Sequence, residues 1–353
     1  MIKVDIVAPY LSGNGGMETV IATVVRHFEN DPAYDVQLVM PQGAHRYEWT
    51  DKIQHVKINR PSDTHRFNRQ LSGLLFLAKH ILTTKAEIVI CASTRLVALV
   101  ARFRKLFKKK FKLVSWIHFS LDHEAAVVPK QLLVADYHWA ISSGIKQQIM
   151  ALGIPEQKID LIYNPVSLDD HPIADAQETT EFIYVGRVLL NGQKNLAELV
   201  AAAQQLHGNW HFTIFGSGAD LEPMKQLLAK QQLLAHFTFK GWSQEPWREV
   251  KQASALVLTS KYEGFPMVLV EAIQHGVPII SANCPTGPED IVTVDNGFLY
   301  DMGDTVELAN DLQRIIDQQV TFDRQQIALS ADKFNQSNYF AKVKSSLNKI
   351  NQR

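Results

Sequence analysis

Five ionisable side chains lie just past apolar strand-like segments, or in the loop or helix that follows one, where a parallel α/β fold collects its ligands: Arg187, Lys194, Glu263, Glu271 and His118. Glu263 and Glu271 are eight residues apart in EGFPMVLVE. The apolar run Ala255 to Leu258 reads as a strand, Glu263 to Pro266 as a loop, Met267 to His275 as a helix stopped by Gly276, and Val277 to Ser281 as a second strand. Glu263 then stands just before the helix and Glu271 inside it, both able to face a ligand at the helix N-terminus. The free N–H groups of Met267 and Val268, with the positive end of the helix dipole, suit an anion such as a phosphate. Gly264 permits close backbone approach, and Phe265 is expected to shield the site. Arg187 ends the strand Phe182 to Gly186, and Lys194 follows seven residues later in GRVLLNGQKN. Two cations beside a diphosphate can offset leaving-group charge in place of a metal. No strand-flanked Asp-x-Asp occurs, so no metal clamp is expected.

These residues need a scaffold of alternating strands and helices. In the first half, Ile2 to Ala8, Val36 to Met40, Ile53 to Ile58, Glu87 to Cys91, Phe111 to Ile117, Leu132 to Ile141 and Ile159 to Tyr163 read as strands. Helices are expected over Gln70 to Leu82, Thr94 to Leu106 and Ser142 to Leu152, which implies a parallel sheet covered on both faces. His118 follows Phe111 to Ile117 directly. The loop Pro9 to Gly16 holds glycines at 13, 15 and 16, which is not the G-x-G-x-x-G spacing, and no acidic residue closes the next strand, so a dinucleotide cofactor is not supported. Residues 167 to 180, with Asp169, Asp170, Pro172 and Asp175, read as a polar connector. The alternation restarts at Phe182, with strands at Trp210 to Phe215 and His236 to Phe239. Helices are expected at Asn195 to Leu206, Leu221 to Gln231, Thr305 to Gln318 and Asp323 to Phe334, and an end helix from Asn338.

A chain of 353 residues suits two such domains rather than one core. Thirty-six basic residues balance thirty-six acidic ones, which argues against nucleic acid as a partner. Arg102 to Lys112, RFRKLFKKKFK, is locally basic, with Phe103, Leu106 and Phe107 at helical spacing. That pattern suits an anionic membrane surface, or else a solvated turn. Two cysteines, Cys91 and Cys284, offer neither a metal spacing nor a disulfide framework. With no signal run at the start and no long apolar span, the expected location is cytoplasmic, with peripheral attachment to the inner face of the membrane as an option.

The Glu-x7-Glu segment resembles that of the retaining family-4 glycosyltransferases with the GT-B fold. Gly186-Arg187 with Lys194-Asn195, Trp116 to Phe119 and Asn164-Pro165-Val166 resemble further segments of that family. Cys284 to Ile291, a turn-rich loop, resembles its Gly-Pro-x-Glu-Ile variant in bacterial surface-polysaccharide transferases. The resemblance implies two Rossmann-like, doubly wound α/β domains facing across a cleft: 1–165 for the acceptor, 166–335 for the nucleotide-sugar donor, and a C-terminal helix, 336–353, crossing back. It implies that Arg187, Lys194 and the amides of Met267 and Val268 hold the donor diphosphate, and that Glu263 and His118 position the sugar. It also implies that Glu271 binds the ribose, that Gly241 and Trp242 lie by the base, and that Gly15 and Gly16 line the donor side of the cleft. The implied activity is transfer of a hexose or N-acetylhexosamine from a nucleotide sugar, UDP-linked, to a glycan or glycolipid acceptor, without cofactor or metal. A non-catalytic sugar-nucleotide-binding protein, or a phosphorylase or epimerase of the same architecture, is the alternative.

Overall fold

The computed structural model describes residues 1–13, 15–60, 66–166 and 171–352, so Asp169 and Asp170 of the expected connector lie outside the described residues. The chain forms two compact units, Met1–Pro165 with Tyr339–Arg353, and Val166–Asn338.

The first unit runs β1 (Ile2–Val7), α1 (Gly16–Glu29), β2 (Tyr34–Met40), β3 (Val56–Ile58), α2 (Arg66–Thr83), β4 (Ile88–Cys91) and α3 (Thr94–Leu106). It continues with β5 (Lys112–Ile117), β6 (Tyr137–Ala140), α4 (Ser143–Ala151) and β7 (Ile159–Leu161). The second unit has β8 (Thr180–Val185), α5 (Leu196–Ala203), β9 (Trp210–Phe215), α6 (Leu221–Lys230), β10 (Phe237–Gly241) and α7 (Pro246–Glu249). After these come β11 (Ala255–Leu258), α8 (Met267–Gln274), β12 (Ile279–Ala282), α9 (Pro288–Ile291), β13 (Gly297–Tyr300), α10 (Thr305–Ile316) and α11 (Arg324–Ser330). The last helix, α12 (Gln336–Asn351), begins in the second unit and ends in the first.

Both sheets are parallel, ordered β3-β2-β1-β4-β5-β6-β7 and β10-β9-β8-β11-β12-β13. Each is doubly wound about a reversal of strand order, between β1 and β4 in the first and between β8 and β11 in the second. The all-buried strands β4, β11 and β12 are apolar runs because helices cover both of their faces. In the second core, Phe182 and Phe212 stack at 5.0 Å across β8 and β9. The end of α12 is built into the first unit. Phe340 stacks on His27 at 3.5 Å, and Ser346 Oγ accepts from Trp139 Nε1 at 2.8 Å while donating to Asp160 at 2.6 Å.

Expected elements differ in several places: α2 begins four residues early at Arg66, and Asp323 to Phe334 divides into α11 and a 3-10 turn, Ala331–Phe334. Leu132 to Ile141 is not one strand: Pro129–Val134 is a 3-10 turn, and only Tyr137–Ala140 pairs. At Asp136 the N–H donates to Leu113 O at 2.8 Å as the ladder begins, while the carboxylate, rather than a backbone carbonyl, accepts from Leu113 N at 2.7 Å and from Arg104. The strand at Ile53 to Ile58 contracts to β3, since Ile53 N is tied back to Thr50 O. Helix α5 stops at Ala203, where Gln205 and Leu206 donate three residues back instead of four.

Candidate active site

Strand order places the chemistry in the second unit. The loop after β8 carries Arg187 and Lys194; the loop after β11 carries Glu263. These strands are neighbours at the reversal, so their loops diverge and leave the crevice that doubly wound sheets use for ligands. Lys194 Nζ donates to Glu263 Oε1 at 2.6 Å, joining the two loops. Both side chains are largely shielded, 15% and 10% exposed, so little water screens the pair.

A second tie runs beside it through Gln193, whose importance the sequence reading missed. Gln193 Oε1 accepts from Arg187 and its amide donates to Tyr262 O at 3.2 Å, while Lys261 N donates to Gln193 O at 2.8 Å. Arg187 itself is exposed. Its carbonyl accepts from the Tyr184 hydroxyl at 2.7 Å, and that of Lys194 accepts from Thr259 Oγ1 at 2.8 Å. The cations are thereby set on a framed backbone. Ser260 Oγ, fully buried beside Thr259, has no partner among the described residues.

The Glu263 turn is held from behind by the loop before α9. Thr286 Oγ1 donates to Glu263 O, and Glu263 N donates to Pro285 O at 3.3 Å. Gly287 has φ +108°, and a Cβ there would lie 2.4 Å from Pro266 Cδ, so the loop can press on the turn only as glycine. Pro266 occupies the N-cap, and no side chain caps α8. The amides of Met267 and Val268, in the first turn of α8, therefore retain their capacity for an anion. Phe265, expected to shield the site, packs edge-on against Phe334 at 5.3 Å and is 6% exposed; it anchors the turn.

Glu271 lies on the second turn of α8, where Trp247 Nε1 donates to its Oε2 at 3.0 Å. Burial raises the carboxyl pKa, and the indole hydrogen bond opposes that rise. No spacing rule connects Trp247 to Glu271; they meet because β10 and α7 lead the chain over α8. At the other side, Gly241 ends β10 and its carbonyl accepts from Gly216 N at 2.7 Å. Gly216 in turn abuts the start of the Arg187 loop, where a Cβ would lie 1.8 Å from Gly186 O. Trp242 projects next to Gly241, 61% exposed.

The other predicted residues are in the first unit. His118 follows β5 at the sheet's C-terminal edge, 8% exposed, with its ring 4.6 Å from that of Trp116. Burial lowers its pKa to about 3, so the imidazole is neutral at ordinary pH. Its Nε2 has no partner among the described residues, which leaves a buried polar atom open to a ligand. Gly15 caps α1 and Gly16 begins it; space is open about Gly16. Glu18 folds back over this loop, accepting from Ser12 Oγ at 2.9 Å and Gly13 N at 2.7 Å.

Arg102 to Lys112 sits at the opposite edge of that sheet, where α3 ends and β5 begins. Phe103 and Phe107 are half-buried and stack at 5.8 Å, so Leu106, 68% exposed, is the apolar residue presented outward. Arg104 pairs with Asp136, and Lys109 Nζ donates to Thr84 O at 3.1 Å. Among the described residues no helix is long and apolar enough to cross a membrane, and no cluster of His, Cys, Asp and Glu has the makings of a metal site.

Two doubly wound units, one with cations and a helix N-terminus gathered at its strand reversal, define a protein of the GT-B class. The family model "Glycosyltransferase Family 4" matches residues 14–170, and "Glycosyl transferases group 1" matches 169–333. The lipopolysaccharide 1,6-galactosyltransferase of Escherichia coli K12 is 35% identical over 97% of each chain, and that of Salmonella typhimurium 34% over 96%. The solved structure of the lipopolysaccharide outer core galactosyltransferase WaaB matches with a TM-score of 0.88, at 32% identity over 99% of each chain. The chain belongs to the family-4 glycosyltransferases.

Proposed function

We propose that the protein transfers a hexose, galactose first among the candidates, from a UDP-linked donor to a hydroxyl of a lipid-linked surface glycan, with retention at the anomeric carbon and without a metal. The observation that carries this is the Lys194–Glu263 pair across the β8/β11 reversal, in front of the uncapped start of α8. A donor diphosphate meeting α8 there would find the amides of Met267 and Val268, with Arg187 alongside. Lys194 has three N–H donors, so it can serve a phosphate while holding Glu263. These groups would neutralise the diphosphate as the anomeric bond stretches, and Glu263 and His118 would position the sugar. Glu271, held by Trp247, would accept from the ribose hydroxyls. The galactosyltransferase relatives support galactose and a lipopolysaccharide-type acceptor.

The test is donor hydrolysis and transfer with UDP-galactose, UDP-glucose and UDP-N-acetylglucosamine, with and without EDTA, followed by NMR of the product anomer. Turnover with a UDP-hexose that survives EDTA and gives retained configuration supports the reading. Turnover lost to EDTA and restored by Mg²⁺ removes the metal-free clamp, and an inverted product removes retention.

On the membrane, Arg102, Lys105, Lys108, Lys110 and Lys112 are the cations available to an anionic leaflet, since Arg104 and Lys109 are engaged. Each is worth about 1 kcal/mol near such a surface. Leu106 would add an apolar contribution that salt does not screen.

A further inference from the structure

The first unit has its own strand reversal, between β1 and β4, and a cavity of about 540 Å³ stands over it. Its lips are Pro9 and Tyr10 after β1 and Ser93 after β4, and its walls come from α2 and α3, with Leu77 and Leu96 lining them. The volume is that of a small-ligand site. We propose that this cavity binds an anionic group of the acceptor glycan, a sugar phosphate ester or a sugar carboxylate, through Arg69 and Arg95. This rests on the acceptor part of the function proposed above and adds the acceptor's charge.

Three observations carry it. Arg69 lines the cavity with its guanidinium 4.0 Å from the centroid of the Tyr10 ring, which orients it without neutralising it. Arg95 is the second residue of α3, where the positive helix end disfavours a cation, and no acidic residue occupies that first turn to offset it. Neither arginine forms an ion pair with a described residue. An anion in the cavity would answer both guanidinium groups and the dipole of α3 together. Planar guanidinium groups grip carboxylate and phosphate oxygens in paired hydrogen bonds, which a neutral sugar cannot return. The remaining lining, polar at Gln42, Gln70 and Ser93 and apolar at the leucines, suits a sugar ring.

The test uses the full chain and three probes, glucose 6-phosphate, galacturonate and methyl glucoside, read by saturation-transfer NMR titration. The expected result is that one or both anionic sugars bind wild type more tightly than methyl glucoside, the preferred one identifying the source of the charge. Arg69→Gln/Arg95→Gln should weaken that binding about 10-fold or more, the scale of a lost charged hydrogen bond, and leave methyl glucoside unchanged. Arg95→Lys, which keeps the charge and loses the fork, should fall between. Anionic sugars that bind no better than methyl glucoside, or that bind the double variant as well as wild type, overturn the proposal. UDP titrated into the same samples reports on the second unit, so a failed donor site is seen separately.

Discussion

Removing Lys194 should separate what the ion pair does for stability from what it does for catalysis. In Lys194→Met, the carboxylate of Glu263, 8% exposed as a residue, loses the ammonium 2.6 Å away, and no other cation is hydrogen-bonded to it among the described residues. Leaving one charge of a buried pair unanswered costs about 3 kcal/mol, the low end for such pairs because these side chains keep some exposure. At roughly 3 °C per kcal/mol for a domain of this size, the melting temperature should fall by about 9 °C. In Lys194→Met/Glu263→Gln no charge remains to be stranded, so most of that loss should return. Transfer should not return: both variants lack the cation at the diphosphate and should be slower by about 10²-fold or more. Calorimetric melting and a transfer assay on the same preparations give the answer. A single variant as stable as wild type, or a double variant that recovers turnover with stability, would refute the reasoning.

Other expectations follow from single contacts. UDP affinity should decline with falling pH from a point above the ordinary glutamate range, because Glu271 has a raised pKa and its protonated form accepts ribose hydroxyls poorly; Trp247→Phe should move that midpoint higher, as titration calorimetry across pH would register. Burial holds the folded-state pKa values of His118 and His138 at about 3 and about 4, below the unfolded value of 6.5. The unfolded chain therefore takes up more protons below pH 6.5, stability falls as pH drops from there towards 4, and His118→Asn should flatten that fall in urea midpoints. Gly287→Ala should press on Pro266, lowering both stability and transfer; thermal melts that match wild type would contradict the packing argument. Replacing Lys105, Lys108 and Lys110 by Gln should release the protein from anionic liposomes at low salt with donor hydrolysis intact; unchanged sedimentation would remove the basic segment from membrane contact.

The alternation of apolar runs made both sheets legible, because buried parallel strands have few ways of being spelt. The Glu263-to-Gly276 unit was equally plain, with Gly276 at φ +73° where the helix stop was expected. Strand order was not legible, since no residue in β8 names β11 as its neighbour. For that reason the direct link between Lys194 and Glu263 could not be read from the chain. Gln193, Trp247 and Thr286 escaped for the same cause, as each acts through long-range hydrogen bonds and carries no periodic signature. Phe265 shows the converse error: a large apolar residue in a loop looks like a lid until its partner, Phe334, is known.

Strand β5 joins the basic segment to the edge that carries His118. Its first residue, Lys112, ends the basic segment, and its last, Ile117, delivers His118 to the sheet's opposite edge. Six residues of parallel strand advance about 17 Å from first to last. If the basic segment rests on a bilayer, β5 acts as a spacer that lifts the sugar-handling edge by that distance, less whatever the strand tilts. An acceptor would have to span the gap with sugars already attached to its lipid. With β5 upright on the bilayer, a lipid bearing a single sugar would fall short of that edge, and the acceptor would be a chain that earlier transferases had lengthened.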